Sequence, residues 1–231
     1  MTRSLVLATL FAVTLAVPAA RATPFGGDDT GNVPTDPADL AYEAKVGKLI
    51  AKFQKCVFKC HASRAAGKLP DDTNEDNCEG VCQSKYDAKA TNLVPGPNSG
   101  CVNTISLRNV WVAVLDANSN QVYCEGTTPG APGDDTLKIP SNSTILKCET
   151  KVGKIAAKLL KCVGKCHESE ARGKLADDTA EDDCETNGCL AKFNAAMLKV
   201  TGCDPCTNAT TISNSLISSA DSNNLFVYCA P

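Results

Sequence analysis

Apolar residues in the stretch 45–60 recur with the period of an α-helix. Val46, Leu49, Ile50, Cys56, Phe53, Val57 and Cys60 share one stripe at about 100° per residue, which predicts an amphipathic helix. Asp36 before Pro37 supplies its start and Gly67 its stop. Thr73 with Asp76 makes a variant capping box, so a second helix is expected from Thr73, returning antiparallel to the first. Farther on, Leu107, Val110 and Val114 repeat at helical spacing before an extended "VYC" ending at Cys124. A third short helix followed by an extended tail is therefore expected.

The pattern then occurs a second time. Lys45 aligns with Lys151, Cys56 with Cys162, His61 with His167 and Cys78 with Cys184, without a gap and with a period of 106 residues. Val152, Ile155, Leu159 and Val163 rebuild the first stripe, Thr179 with Asp182 the second helix start, and Ile212, Leu216, Ile217 and Ala220 the third helix. This is a duplication whose unit is too long for a solenoid repeat. The expected fold is mostly all-α: two tandem homologous disulfide-rich domains, each an antiparallel helical hairpin plus a third short helix and extended tail. The expected divisions are 1–22, a signal peptide; 23–35, a disordered leader; 36–124, the first repeat; 125–140, a Gly, Pro and Thr-bearing linker; and 141–231, the second repeat.

Composition adds the compartment. The opening segment has a basic Arg3, an apolar run from Leu5 to Val17 and an Ala-Arg-Ala ending at Ala22, the pattern of a cleavable secretory signal. Fourteen cysteines, an even number, then read as a disulfide framework in a secreted or periplasmic protein. No later stretch has the length of a transmembrane helix. The formal charge of −3, lower still without Arg3 and Arg21, argues against a nucleic-acid partner. Aromatic residues are only 5% of the chain, so bridges are expected to supply part of the stability, at roughly 2 to 4 kcal/mol each.

Cysteine spacing gives a pairing. An i, i+4 pair presents both sulfurs on one helix face, and antiparallel partners keep a constant summed index. Cys56 with Cys82 and Cys60 with Cys78 meet that condition. In the second copy, Cys162 with Cys189 and Cys166 with Cys184 miss it by one, because "CETNGC" carries an extra residue; a bulge or frayed helix is expected near Gly188. Cys148 and Cys203 form a third rung, replaced in the first copy by packing of Tyr42. Cys101 with Cys124, and Cys206 with Cys229, have the same separation of 23 and are expected to close within their own copies.

Two heptapeptides, "KCVFKCH" and "KCVGKCH", hold the only histidines. C-x3-C-H is a rarer variant of the covalent haem motif, and a dihaem electron carrier is one alternative. Disulfides are preferred, because haem leaves Cys78 and Cys82 stranded and a second axial ligand is lacking. Zinc requires reduced thiols, unsuited to a secreted chain, so no metal and no cofactor is expected. His61 and His167 are read as helix C-terminal residues interacting with the dipole. "DDTNED" and "DDTAEDD" lack EF-hand spacing and are read as helix capping. Asn142 and Asn208 head glycosylation acceptor triplets.

The twin C-x3-C hairpins, residues 56–82 and 162–189, resemble the plant α-hairpinins and, more distantly, the small mitochondrial intermembrane-space chaperones. The hairpinin resemblance implies a secreted protease-inhibitor or antimicrobial role, with Arg64, Lys68, Arg172 or Lys174 in an exposed inter-helix loop.

One more pattern repeats. Lys45, Lys48, Lys52, Lys55 and Lys59 recur as Lys151, Lys154, Lys158, Lys161 and Lys165, a cationic stripe beside the apolar face. It suits an anionic polymer or membrane surface, and otherwise makes a solvated face. With no buried carboxylate pair and no free nucleophile apparent, no enzyme is expected, and the function reads as binding or structural.

Overall fold

The computed structural model describes residues 23–128 and 136–229. The expected signal peptide and residues 129–135 of the expected linker lie outside these.

The chain is mostly helical and carries seven disulfides. Helix α1, Pro37–Ala65, begins where Asp36 accepts from the Ala38 N–H at 2.6 Å, with Pro37 in the first turn. It ends just before Gly67, whose positive φ of 67° turns the chain back. Helix α2, Asp72–Ala90, starts one residue earlier than the capping-box reading places it, because Asp71 is the cap and accepts from the Asn74 N–H at 2.8 Å. Helices α3, Thr104–Ala117, and the one-turn α4, Ser119–Val122, complete the first copy. The second copy repeats the plan with α5, Ser143–Ala171, α6, Asp178–Asp183, α7, Ala191–Met197, and α8, Ala209–Ser222. Between α6 and α7 the residues Cys184–Leu190 form a wide π-type turn. The extra residue of "CETNGC" is absorbed there, so both cysteines still face α5.

Within each hairpin the rungs are Cys56–Cys82, Cys60–Cys78, Cys162–Cys189 and Cys166–Cys184, with Cα separations of 5.8, 5.8, 5.5 and 5.8 Å. Cys148–Cys203 adds the third rung of the second copy. Tyr42, at its position in the first, is buried.

The last four cysteines depart from expectation. Cys101 pairs with Cys229 and Cys124 with Cys206, at Cα separations of 6.0 and 5.9 Å, so both bridges run between the copies. An identical spacing of 23 in each copy permits either pairing; the crossing of the tails decides it. Tyr123, ending the first copy, brings its hydroxyl over Gly153 of α5, and Tyr228, ending the second, brings its own over Gly47 of α1. A side chain at Gly153 would stand 3.1 Å from the Tyr123 hydroxyl. The long helices α1 and α5 also pack on each other, with Val46, Ile50, Phe53 and Val57 joining Val152, Ala156, Leu159 and Val163 in one core. The copies are thus interlocked. Loops of 128 and 82 residues closed by the exchanged bridges restrict the unfolded chain by roughly 4 to 5 kcal/mol each.

The segment expected as a disordered leader is a strap on the second copy. Thr23–Pro24 pairs with Asn32–Val33, Phe25 packs at a tilt against Tyr228 with ring centroids 5.5 Å apart, and the Asn32 N–H donates to the Tyr228 carbonyl at 2.9 Å. The described ends of the linker are held too: Thr127 bridges Ile139, and Leu137 is wholly buried.

If tail crossing sets the bridge pattern, a larger residue under Tyr123 must weaken the fold. Gly153→Leu is expected to cost about 1 to 3 kcal/mol in chemical denaturation. Gly164→Ala, on the same helix with nothing within 4 Å of its added carbon, is expected to be neutral or to stabilise by up to about 1 kcal/mol.

Candidate metal centres

The stripe that carries the cysteines of α2 also carries Glu75 and Glu79, which sit three residues before and one after Cys78. The Cys60–Cys78 rung joins this stripe to the residue preceding His61, so the ladder fixes the imidazole against both carboxylates. His61 is 0% exposed. Its Nε2 lies 3.2 Å from Glu79, 3.8 Å from Glu75 and 3.1 Å from Asp116 at the end of α3.

The second copy builds the same group. His167 follows Cys166, and its Nε2 stands 3.3 Å from Glu185, 3.8 Å from Glu181 and 3.4 Å from Asp221 on α8. A fourth carboxylate, Asp29 of the N-terminal strap, lies at 3.0 Å. All four acids are at least nine-tenths buried. His167 Nε2, both oxygens of Asp29 and Asp221, and one oxygen each of Glu181 and Glu185 are buried without a hydrogen-bond partner. Five donor-capable groups therefore converge, four carboxylates at 3.0 to 3.8 Å from one imidazole nitrogen.

The strap is shaped to deliver Asp29. Gly27 takes a positive φ of 53° against the Asp178 side chain, where a substituted carbon has no room. Thr30 then donates from its N–H and its hydroxyl to the Asp221 carbonyl, at 3.1 and 2.8 Å. Thr136 makes the matching pair of bonds to the Asp116 carbonyl, at 3.4 and 3.0 Å. The sequence Gly27-Asp28-Asp29-Thr30 recurs as Gly133-Asp134-Asp135-Thr136 at the 106-residue period.

Electrostatics make the second cluster costly as it stands. Among the described residues, His167 is the only cation paired with its four carboxylates, and one imidazolium offsets one negative charge. Burial raises Asp221 to about 7, although the neighbouring His167 pulls the other way. Burial raises Glu181 far above the carboxylate range, with the charge of Glu185 and Asp29 adding to it. Burial disfavours the charged imidazole, but Asp221, Asp29 and Glu185 outweigh it and hold His167 well above its ordinary value. Asp178 and Glu170, beside the strap, are raised chiefly by burial and then by Asp29.

One imidazole nitrogen and several carboxylate oxygens are the donor set of divalent first-row metals. Ligands held about 2.1 Å from such an ion lie about 3 Å from their neighbours, close to the Nε2-to-oxygen distances in both clusters. A dication also offsets the burial cost and the mutual repulsion that raise Asp221 and Glu181. The residues fit a metal ion.

Several sequence readings change accordingly. The histidines, read as partners of the helix dipole, face carboxylates in the interior. The acidic runs do cap their helices through Asp71 and Asp177, yet they also place Glu75 and Glu181 inward, where no buried carboxylates were expected. The four C-x3-C-H cysteines are consumed in helix-to-helix bridges, which leaves no thiol for haem attachment. Arg64 is buried and donates to the Leu69 and Pro70 carbonyls at 3.1 and 2.9 Å, whereas Lys68, Arg172 and Lys174 are exposed. Asn142 and Asn208, the acceptor asparagines, cap α5 and α8. All ten stripe lysines are exposed; Lys48 pairs with Glu168 across the copies at 3.0 Å, and Lys151 donates to the Lys199 carbonyl.

No family model, curated protein or solved structure matches this chain.

The raised carboxyl groups set a pH dependence. Groups protonated more readily in the folded than the unfolded state favour folding at low pH, and that contribution is lost as pH rises through the folded values. Imidazolium at His167 follows the same sign. In chelator, thermal stability is therefore expected to fall as pH rises from about 4.5 through 7, where Asp221 titrates. With excess Mn²⁺ the slope is expected to reverse, since the ion competes with protons. Melting curves across that range, with and without metal, check both.

Proposed function

We propose that this chain is a secreted or periplasmic binding protein whose cargo is a divalent first-row cation, one ion in each of two twin centres. Glu75, Glu79, His61 and Asp116 hold the first, and Asp29, Glu181, His167, Glu185 and Asp221 the second. The observation that carries the reading is the convergence of buried carboxylates on the His167 imidazole, rebuilt around His61 by the duplicated residues. Both imidazoles are shut off from solvent, so the centres suit retention of an ion rather than catalysis on a substrate. Seven disulfides suit an oxidising compartment, and among the described residues no helix is long and apolar enough to cross a membrane.

Titration calorimetry of the chelator-treated chain with Mn²⁺ and, separately, Zn²⁺ is expected to give two ions per chain. His61→Ala and His167→Ala are each expected to lose one, with the disulfides intact by mass. Wild-type protein that binds neither metal would overturn the reading.

The exposed lysine rows support a second, surface reading. Lys52 joins Lys85 and Lys89 around a shallow groove floored by Leu49, Phe53 and Tyr86, suited to an anionic polymer or membrane surface. Charge reversal at Lys48, Lys52 and Lys55 is expected to abolish co-sedimentation with anionic vesicles; undiminished binding contradicts it. Inhibition of trypsin-like proteases, the role implied by the hairpinin resemblance, would have to depend on Lys68 and Lys174.

A further inference from the structure

The two bridges between the copies differ from the five within them. Each has one exposed cysteine, Cys101 or Cys206, joined to a half-buried one, Cys229 or Cys124. The ladder bridges expose neither sulfur-bearing residue to that degree: Cys60, Cys82, Cys148, Cys166 and Cys189 are buried, and their partners are half-buried.

Beside each exchanged bridge lies a glutamate with no exposed surface. Glu43 of α1 stands with Cys101 and Cys229, and Glu149, its equivalent on α5, with Cys124 and Cys206; in each group the carboxylate oxygen and both sulfurs lie within 4.8 Å of one another. Neither glutamate has a place in the metal centres. Among the described residues, no Lys, Arg or His pairs with either. Burial holds Glu43 up at about 8 against the pull of the Cys229 N–H, with Asp39 adding to the rise. Burial likewise raises Glu149 to about 7 against the N–H groups of Glu125 and Cys124, and the charges of Glu125 and Asp204 add to it. Tyr228 faces Glu43 and Tyr123 faces Glu149, both buried and both raised chiefly by burial. A buried carboxylic acid beside a half-accessible disulfide is a proton source for a leaving thiolate.

We propose that the bridges Cys101–Cys229 and Cys124–Cys206 are thiol–disulfide exchange sites, with Glu43 and Glu149 as their proton-transfer groups and a dithiol as the reacting partner. The thiolate of the dithiol attacks the exposed sulfur, Cys101 or Cys206. The S–S bond breaks, and its electron pair leaves on Cys229 or Cys124, which takes the proton of the glutamic acid. The second thiol of the dithiol then attacks the dithiol's own sulfur in the mixed disulfide, the electron pair leaves on Cys101 or Cys206, which takes up the proton that the first thiol released to solvent, and the oxidised dithiol departs. Two electrons and two protons pass from the dithiol to the pair of cysteines, the glutamate recovering its proton from the second thiol. Opening both bridges frees the tails that lock the copies together, while the hairpin ladders and their metal donors stay in place.

The test treats the folded full chain with limiting dithiothreitol, quenches with an alkylating reagent and maps labelled cysteines by peptide mass. Cys101, Cys229, Cys124 and Cys206 are expected to label first. After correction for the thiolate fraction of the reagent, the rate at Cys101–Cys229 is expected to fall above pH about 8, and that at Cys124–Cys206 above pH about 7. Glu43→Gln and Glu149→Gln keep a hydrogen-bonding side chain but cannot give up the proton. Each is expected to slow its own bridge at pH 6 by about tenfold or more, leave the other unchanged and abolish the break. Ladder cysteines that label as early, or a corrected wild-type rate that does not vary with pH, would overturn the proposal. Both readouts are taken on chelator-treated protein, so neither outcome depends on metal binding.

Discussion

Carboxylates can be buried together only if something positive is buried with them. Around His167 four acids share one imidazole, and an uncompensated charge in a protein interior costs several kcal/mol. Protonation can meet part of that cost, and the raised values of Asp221 and Glu181 are its signature. A dication meets it more completely and uses the donor atoms that have no other partner. Much of the architecture serves to keep those donors facing one another: disulfide rungs beside the histidines, a strap that closes one centre, and threonines that hold the aspartate-bearing helix ends.

Duplication explains why the arrangement occurs twice, and exchange explains why the halves do not separate. The strap before the first copy lies on the second, and each tail crosses to the long helix of the other. Glycines at equivalent positions, Gly47 and Gly153, give the two tyrosines their approach. The exchanged bridges then restrict the chain over the largest loops in the molecule, where covalent closure removes the most unfolded-state freedom.

Much of the scaffold was legible from residue spacing. Helical periodicity located α1 and α5, the constant index sum paired the ladder cysteines, and the inserted residue announced the wide turn at Cys184–Leu190. The tails were not legible, because a separation of 23 in both copies is compatible with closure inside a copy or across the pair. Burial of the acids was hidden for another reason. Acidic residues at a helix start have a sufficient local explanation in capping, and Asp71 and Asp177 do cap, which drew attention from Glu75 and Glu79 on the cysteine-bearing stripe. A signal was nevertheless present: Glu75, Glu79 and His61 all recur at the same period, as does Gly-Asp-Asp-Thr, a segment assigned to a leader in one copy and a linker in the other. Polar residues repeated on a buried face point to a shared site more strongly than their local chemistry does.

The most direct test of the central claim is anomalous diffraction from crystals of the full chain grown with Mn²⁺, with data collected on either side of the metal absorption edge. Two difference peaks are predicted, one beside His61 Nε2 and one beside His167 Nε2, each about 2 to 2.4 Å from the nitrogen and ringed by the named carboxylates. Well-ordered histidine and carboxylate side chains with no peak between them would contradict it, and would leave the buried acids neutralised by protons alone.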